Sequence, residues 1–405
     1  MPTSNSSTTY GSVTKTFHWL TALLILAVIP LGVIAHDLAE QGRNPDAAAS
    51  EATVRLAATL FSAHKTLGLA VFFVALARIG WALSQPKPGL LNGDKRAEAW
   101  LAETVHWLLY GSLVLVPLSG WVHHAATTGF APIWWPFGQT LPFVPQDPHL
   151  AEISSVVHFV LQWVLVGAIT LHVAGALKHH VIDGDATLRR MLPGLNPGQP
   201  TARQPGHLLP VVTALAVWAA VLGGAGVLGW FSKGAAATGT AALASVDSEW
   251  QVQQGSLQIS ITQMGSQVTG SFADWTADIS YAEEADANGR HGDVTVTVSI
   301  GSLTLGSVTD QAMGKEYFNT ENFPTATFQA DLIASDTGQL ARGTLTIKDQ
   351  SVPVEMPFEL TIDADTATAS GALSVDRRSF GIGGDGTDSL GATVDISFDL
   401  TATRG

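Results

Sequence analysis

Residues 153–178 read ISSVVHFVLQWVLVGAITLHVAGALK, an apolar run about as long as a helix needs to cross a bilayer. Two histidines lie inside it, His158 and His172. Their separation of fourteen residues is roughly 21 Å along a helix axis and close to four whole turns, so both imidazoles face one side. Polar side chains in a lipid-facing helix are costly and are buried in a bundle or used as ligands. One imidazole near each membrane surface suits two stacked haems. Hydrogen bonds from two packed histidines to neighbouring helices would satisfy the same polarity.

Four more apolar runs surround this one: Phe17 to Ala35, about Leu60 to Leu83, about Leu101 to Val122, and Leu208 to Trp230. The first is too long for a secretory signal and has no small-residue cleavage site, so it is expected to be retained. Pro30 is expected to kink it. Residues 1–14 are Ser/Thr-rich and read as a disordered start, and residues 37–55 read as a polar loop. The stretch APIWWPFGQTLPFVP, 131–145, reads as a loop at the membrane interface, where Trp is favoured. Lys87, Lys95 and Arg96 follow the second run, and Lys178, Arg189, Arg190 and Arg203 follow the fourth. The positive-inside rule then places the N-terminus in the cytoplasm and, after five crossings, the C-terminus outside. The fifth run carries no histidine and no charge, and reads as a tether without a redox role.

The chain has no cysteine, which excludes disulfides, thiolate-held iron–sulfur clusters and c-type haem attachment. Any metal must rest on His, Met or carboxylate. The net charge of −14 is uneven: from Ser245 onward there are 23 acidic and 7 basic residues. Such an acidic half argues against nucleic acid or anionic lipid as its partner.

Three of the first four runs carry histidines at matching depths. His18 and His172 fall near the cytoplasmic face, His64 and His158 near the outer face. Paired imidazoles are a standard way to hold b-type haem without cysteine. His106, also near the cytoplasmic face, could replace His18 as a ligand or could face a quinone or a haem propionate. Arg78 and Lys178 stand where they could meet propionates or simply anchor helix ends. His123, His124, His149, His179 and His180 lie at span ends or in loops and read as solvated.

The pattern changes after the low-complexity linker SKGAAATGTAALAS. From Trp250 onward, segments such as SLQISI, GDVTVTVSI and TVDISFDL alternate with period two between Gly, Asp and Asn. That predicts an all-β domain of roughly eight strands, an antiparallel barrel. A small barrel rich in Phe and Trp either fills its interior or encloses one apolar ligand. The candidate lining is Trp250, Phe272, Trp275, Phe318, Phe323, Phe328, Phe358 and Phe380. Arg377 and Arg378 could meet a polar head at the mouth or be solvated. The predicted architecture is therefore a membrane all-α four-helix di-haem bundle at 1–205, a fifth transmembrane helix at 206–232, a linker at 233–249 and a β-barrel at 250–405.

Two resemblances bear on these halves. FHWLTALLILAVIPLG, HKTLGLAVFFVALARIGWAL, HWLLYGSLVLVPLSGW and VHFVLQWVLVGAITLHVAGALKHH, within about 10–190, resemble the prokaryotic cytochrome b561 family. That resemblance implies two b haems ligated by His18, His64, His158 and His172, and electron exchange with quinone. Some members oxidise superoxide and reduce ubiquinone. The stretches FNTENFPTATFQA, GTLTIKDQSVPVEMPFELTI and VDRRSFGIGG, within about 250–403, resemble the YceI family. That resemblance implies a lipocalin-like periplasmic barrel around an isoprenoid chain such as a quinone tail. The histidine–glycine turn usual in that family is replaced here by Lys348-Asp349-Gln350. Together they imply a multi-pass protein of a bacterial inner membrane with cofactors of two haem b and ubiquinone or another isoprenoid quinone. The implied activity is a quinone-linked oxidoreductase with a donor or acceptor at the periplasmic face. A membrane-anchored isoprenoid carrier or redox sensor, or the haem subunit of a separate dehydrogenase, would carry the same features. No nucleic-acid partner is expected.

Overall fold

The structure is a computed structural model, and it describes residues 2–43, 51–127, 131–194, 198–202, 206–232, 243, 246, 248–263, 266–335, 338–387 and 390–405. The predicted linker therefore lies almost wholly outside the described residues. The chain divides into two units, one holding most of the helical segments and the other the β-strands together with residues 35–43 and 51–59 of two helices.

Among the described residues, five helices are long and apolar enough to cross a membrane: α1 (Ser12–Arg43), α2 (Glu51–Leu83), α3 (Arg96–Ala126), α4 (Pro148–Val181) and α5 (Leu208–Val227). The chain is thus a multi-pass membrane protein. Helices α1 and α2 run past their apolar stretches, so residues 37–43 and 51–55 are helical, not loop. Leu38, Ala39, Glu40 and Ala52 are good helix formers that let the backbone bonding continue. Helix α4 starts where Asp147 accepts a bond from Leu150 N–H, with Pro148 in the first turn, where a missing N–H costs nothing. Ile25, Val71, Ala75, Leu113, Val116, Leu161 and Leu165, drawn from α1 to α4, form the central core. Leu23, Leu26 and Trp163 are exposed on the outside, as a lipid-facing surface requires.

Helix α5 is more than the expected tether. Trp218 packs into the central core and onto Leu108 and Ala168 of α3 and α4. It approaches so closely that a Cβ on Gly111 would lie 2.0 Å from its ring. Nor is the N-terminus a disordered start. Asn5 Oδ1 accepts from Gly11 N–H at 2.9 Å and from Thr14 at 2.8 Å. Arg190 donates to Thr8 O at 3.0 Å and to Gly89 O at 2.9 Å. Lys15 donates to Leu192 O and Gly194 O, both at 2.8 Å. The N-terminal segment and the two lysine- and arginine-rich loops therefore gather at one end of the bundle.

The second unit is one antiparallel sheet of ten strands: β1 (Trp250–Gln263), β2 (Ser266–Phe272), β3 (Trp275–Tyr281), β4 (Arg290–Ser299), β5 (Leu303–Thr304), β6 (Thr325–Ser335), β7 (Gly338–Ile347), β8 (Gln350–Asp363), β9 (Thr366–Asp376) and β10 (Leu390–Arg404). Their order is β3-β4-β6-β7-β8-β9-β10-β1-β2-β5. The count exceeds the eight expected partly because β5 is only two residues long. The sheet curls until β3 reaches β1: Ser248 Oγ accepts from Ile279 N–H at 2.7 Å, and Trp250 Nε1 donates to Tyr281 O at 3.4 Å. Lys348 and Asp349, at φ of 51° and 60°, make the two-residue β7–β8 turn. Two left-handed residues give that hairpin the twist its strands need.

A leucine at Gly111 should unseat α5, at a cost of about 1–3 kcal/mol for the overpacking. Thermal unfolding of Gly111→Leu in detergent checks this, and adding Trp218→Ala should recover much of the loss.

Candidate functional site

The His64–His158 pair, at the level expected from the sequence to be the outer one, is built from four helices. The His64 and His158 rings lie 6.2 Å apart, nearly perpendicular, and both are partly buried. His64 Nδ1–H donates to Val28 O of α1 at 2.8 Å, and His158 Nδ1–H donates to Val116 O of α3, also at 2.8 Å. A carbonyl only accepts, so each ring carries its proton on Nδ1 and keeps a bare lone pair on Nε2. That tautomer is the one that ligates a metal, and a carbonyl partner at the other nitrogen is its usual support. Each ring sits against a glycine four residues beyond its carbonyl. A Cβ on Gly32 would lie 2.7 Å from His64 Nδ1, and one on Gly120 would lie 2.9 Å from His158 Nδ1. Side chains tilt toward the helix N-terminus, so any residue but glycine there would cover the carbonyl the imidazole needs.

The same spacing repeats at the inner end. Fourteen residues separate His18 from Gly32, His64 from Arg78, His106 from Gly120, and His158 from His172. The inner level thus carries three imidazoles and one guanidinium where the outer carries two imidazoles and two glycines. His172 lies 6.0 Å from His18 and 5.2 Å from His106, ring to ring. His18 Nδ1 is buried without a hydrogen-bond partner. Arg78 stacks over the Tyr110 ring at 5.3 Å. Lys178, by contrast, is engaged away from this level, at 2.7 Å from Glu98 and 2.9 Å from Asp183. Hydrogen bonds from Lys178, then Lys95, hold the Asp183 carboxyl below the usual carboxylate range.

Three histidines expected in solvent are instead engaged. His124 is buried; Lys65 Nζ donates to its Nδ1 at 3.2 Å and its Nε2–H donates to Gln139 Oε1 at 2.9 Å. Gln139 also accepts from Ile133 N–H at 2.8 Å, which folds residues 133–139 over this end of the bundle. His123 donates to Ala151 O at 2.7 Å, and His179 to Asp185 at 2.7 Å.

The β unit encloses a cavity of about 260 Å³ with an almost wholly apolar wall. For scale, an engineered apolar cavity of about 150 Å³ stays dry and holds a benzene. Every residue of the predicted lining borders it except Phe323. Phe323 is half-exposed at the end of a turn, its N–H bonded to Asn319 O, which carries it off the inward-facing strands. Arg377 touches the wall but does not wait at a mouth. It is 1 % exposed, and its five N–H groups donate to the carbonyls of Ile382, Gly384, Gly386, Leu390 and Gly391. Burial lowers its pKa. Arg378 pairs outside with Asp376.

The family described as prokaryotic cytochrome b561 matches residues 9–194, and the YceI-like domain matches residues 249–402. The chain joins a prokaryotic cytochrome b561 unit to a YceI-like domain. Cytochrome b561 homolog 2 of Escherichia coli (strain K12) is 29% identical over 196 residues, 47% of this chain and 95% of that protein. The probable superoxide oxidase CybB of Yersinia pestis is 29% identical over 131 residues, 32% of this chain and 73% of that protein. The crystal structure of Burkholderia cenocepacia BcnA, 27% identical, covers 37% of this chain and 96% of that one at a TM-score of 0.34. The b561 unit implies b-type haem, and the protein is a membrane haem redox protein. The outer pair fits such a group on its own chemistry: the rings lie 6.2 Å apart, both Nδ1 protons are engaged, and each Nε2 keeps its lone pair.

The glycines at 32 and 120 carry a function that the sequence reading passed over. Gly32→Ala and Gly120→Ala should each lower the b haem retained by the purified b561 unit, measured from the reduced absorbance bands. Alanine is the better helix former by about 1 kcal/mol, so a loss would report the displaced imidazole and not a weaker helix. In the YceI-like domain, Arg377→Lys supplies at most three donors for five carbonyls. It should cost about 2 kcal/mol or more of domain stability, read by thermal unfolding.

Proposed function

We propose that this chain is a quinone-linked oxidoreductase that carries electrons across the membrane through two b haems. His64 and His158 would hold one haem and His18 and His172 the other. The observation that carries this reading is the pairing of imidazoles at two depths, with an apolar layer of Ile25, Val71, Leu113, Leu161 and Leu165 in the same bundle. Each haem would supply one reversible electron at a potential set by its ligands and surroundings. The chain's own residues orient the rings through Val28 and Val116, exclude water with the core, and place Arg78 beside the inner level. His106 stands as the second claimant to the inner haem, or as a donor to a quinone or propionate there.

Basic residues gathered at one end support a cytoplasmic N-terminus and a periplasmic YceI-like domain. That domain would hold an isoprenoid chain in its apolar cavity, a quinone tail among the possibilities. A donor at the outer face would give up one electron at a time. Two electrons and two protons convert a quinone into a quinol. Superoxide, the substrate named for the Yersinia pestis relative, would leave as dioxygen after losing one electron.

Haem counting with a redox titration tests the assignment. His158→Leu should leave one haem per chain by removing the outer one, and His172→Leu should remove the inner one. Two haems retained in both variants would overturn it. Loss of a haem in His106→Leu, with both kept in His18→Leu, would move the inner ligand from α1 to α3.

A further inference from the structure

Among the described residues, one buried polar side-chain atom on the cavity wall has no hydrogen-bond partner. Along β1, Leu257, Ile259, Ile261 and Gln263 all border the cavity, the inward half of the strand's alternation. Gln263 is 7 % exposed, and its Oε1 is buried without accepting a hydrogen bond. Buried acceptors are nearly always satisfied, and one left bare is costly. An inward carboxamide oxygen in an otherwise apolar wall is therefore a feature that a ligand can complete.

A hydroxyl borders the same end. Gln263 is the register partner of Leu390 at a bulge in the β1–β10 ladder. Leu390 and Tyr317 together flank Gly383, each 3.1 Å from where its Cβ would stand. Tyr317 Oη accepts from Gln311 Nε2 at 2.8 Å, and both residues border the cavity. That bond occupies the acceptor side of the phenol and leaves its proton to donate. Burial raises the Tyr317 pKa, so the phenol stays protonated at neutral pH.

We propose that the cavity selects an isoprenoid ligand whose head group carries a hydroxyl, with Gln263 Oε1 accepting its proton and Tyr317 donating to its oxygen. A hydroquinone or a prenyl phenol meets both groups. A quinone offers carbonyls alone and leaves Gln263 bare. The domain would therefore hold the reduced form of a quinone in preference to the oxidised one. This rests on the reading of the cavity as an isoprenoid site and specifies which head group that site takes.

The test uses the full-length protein, air-oxidised so that no electron is available to reduce a quinone. A prenyl phenol with a diazirine in its tail is cross-linked to the protein, and labelled peptides are located by mass spectrometry. The unlabelled prenyl phenol, its O-methyl ether and the prenyl benzoquinone of the same tail length then compete. The expected result is labelling within residues 250–405, with the phenol competing roughly tenfold or more better than the ether or the quinone. Gln263→Met keeps the length without the oxygen and should retain labelling while losing the preference. Equal competition by all three in the unmodified protein, or a quinone that competes best, would overturn the proposal even where the variant does not fold. A preference that survives in a labelled Gln263→Met would overturn it too. Absence of labelling in 250–405 would overturn the isoprenoid reading itself, and this proposal with it.

Discussion

The membrane unit depends on two hydrogen bonds, from His64 to Val28 O and from His158 to Val116 O. Each fixes a tautomer, a ring direction and the separation of two helices at once. An imidazole in a lipid-facing helix is costly unless its polar atoms are engaged. Engaging Nδ1 alone leaves Nε2 as the unprotonated nitrogen of each ring, its lone pair unspent. The neighbouring helix pays for this geometry by giving up a side chain, at Gly32 in one case and Gly120 in the other.

The fourteen-residue spacing follows from the same constraint. Four turns carry a helix face from one membrane level to the other, so whatever each corner offers at one level has a counterpart about 21 Å away. At the outer level the corners alternate between imidazole and glycine, which makes room for a large planar group between two ligands. At the inner level the glycine corners are His18 and His106, and Arg78 stands fourteen residues beyond His64. The two levels are therefore chemically unlike.

The histidine depths were legible because a helix rises by a fixed amount per residue, and hydropathy alone sets where each helix enters the membrane. The glycine notches were not, although their spacing is written in the sequence. Reading them requires knowing that α1 faces His64 and that α3 faces His158, which no single helix reveals. The same limit governs His123 and His124, which look solvated at a helix end until α4 offers Ala151 O to the first and the 133–139 loop brings Gln139 to the second. In the β unit, alternation together with aromatic content put seven of the eight predicted lining residues on the cavity wall. It misjudged Arg377, because two adjacent arginines near a strand end read as surface, and only the fold brings five carbonyls around one guanidinium. It passed over Gln263, although that residue continues the inward phase of Ile259 and Ile261.

Arg377 and Gln263 set out what burial demands of a polar group. Arg377 carries a charge and five donors, and a complete set of backbone acceptors makes its burial tolerable. Its polar capacity is exhausted, so it closes the loop around 382–391 and can do nothing for a ligand's head. Gln263 is neutral, smaller and unsatisfied, and the cost of leaving it so is modest enough for the fold to bear. Spent polar groups hold this protein together, and unspent ones mark where something else binds. The Nε2 atoms of the outer pair obey the same distinction: their rings are anchored at one nitrogen and open at the other. By that criterion His18, whose Nδ1 is buried without a hydrogen-bond partner, is held less firmly than His64 and His158, whose Nδ1 atoms are both engaged.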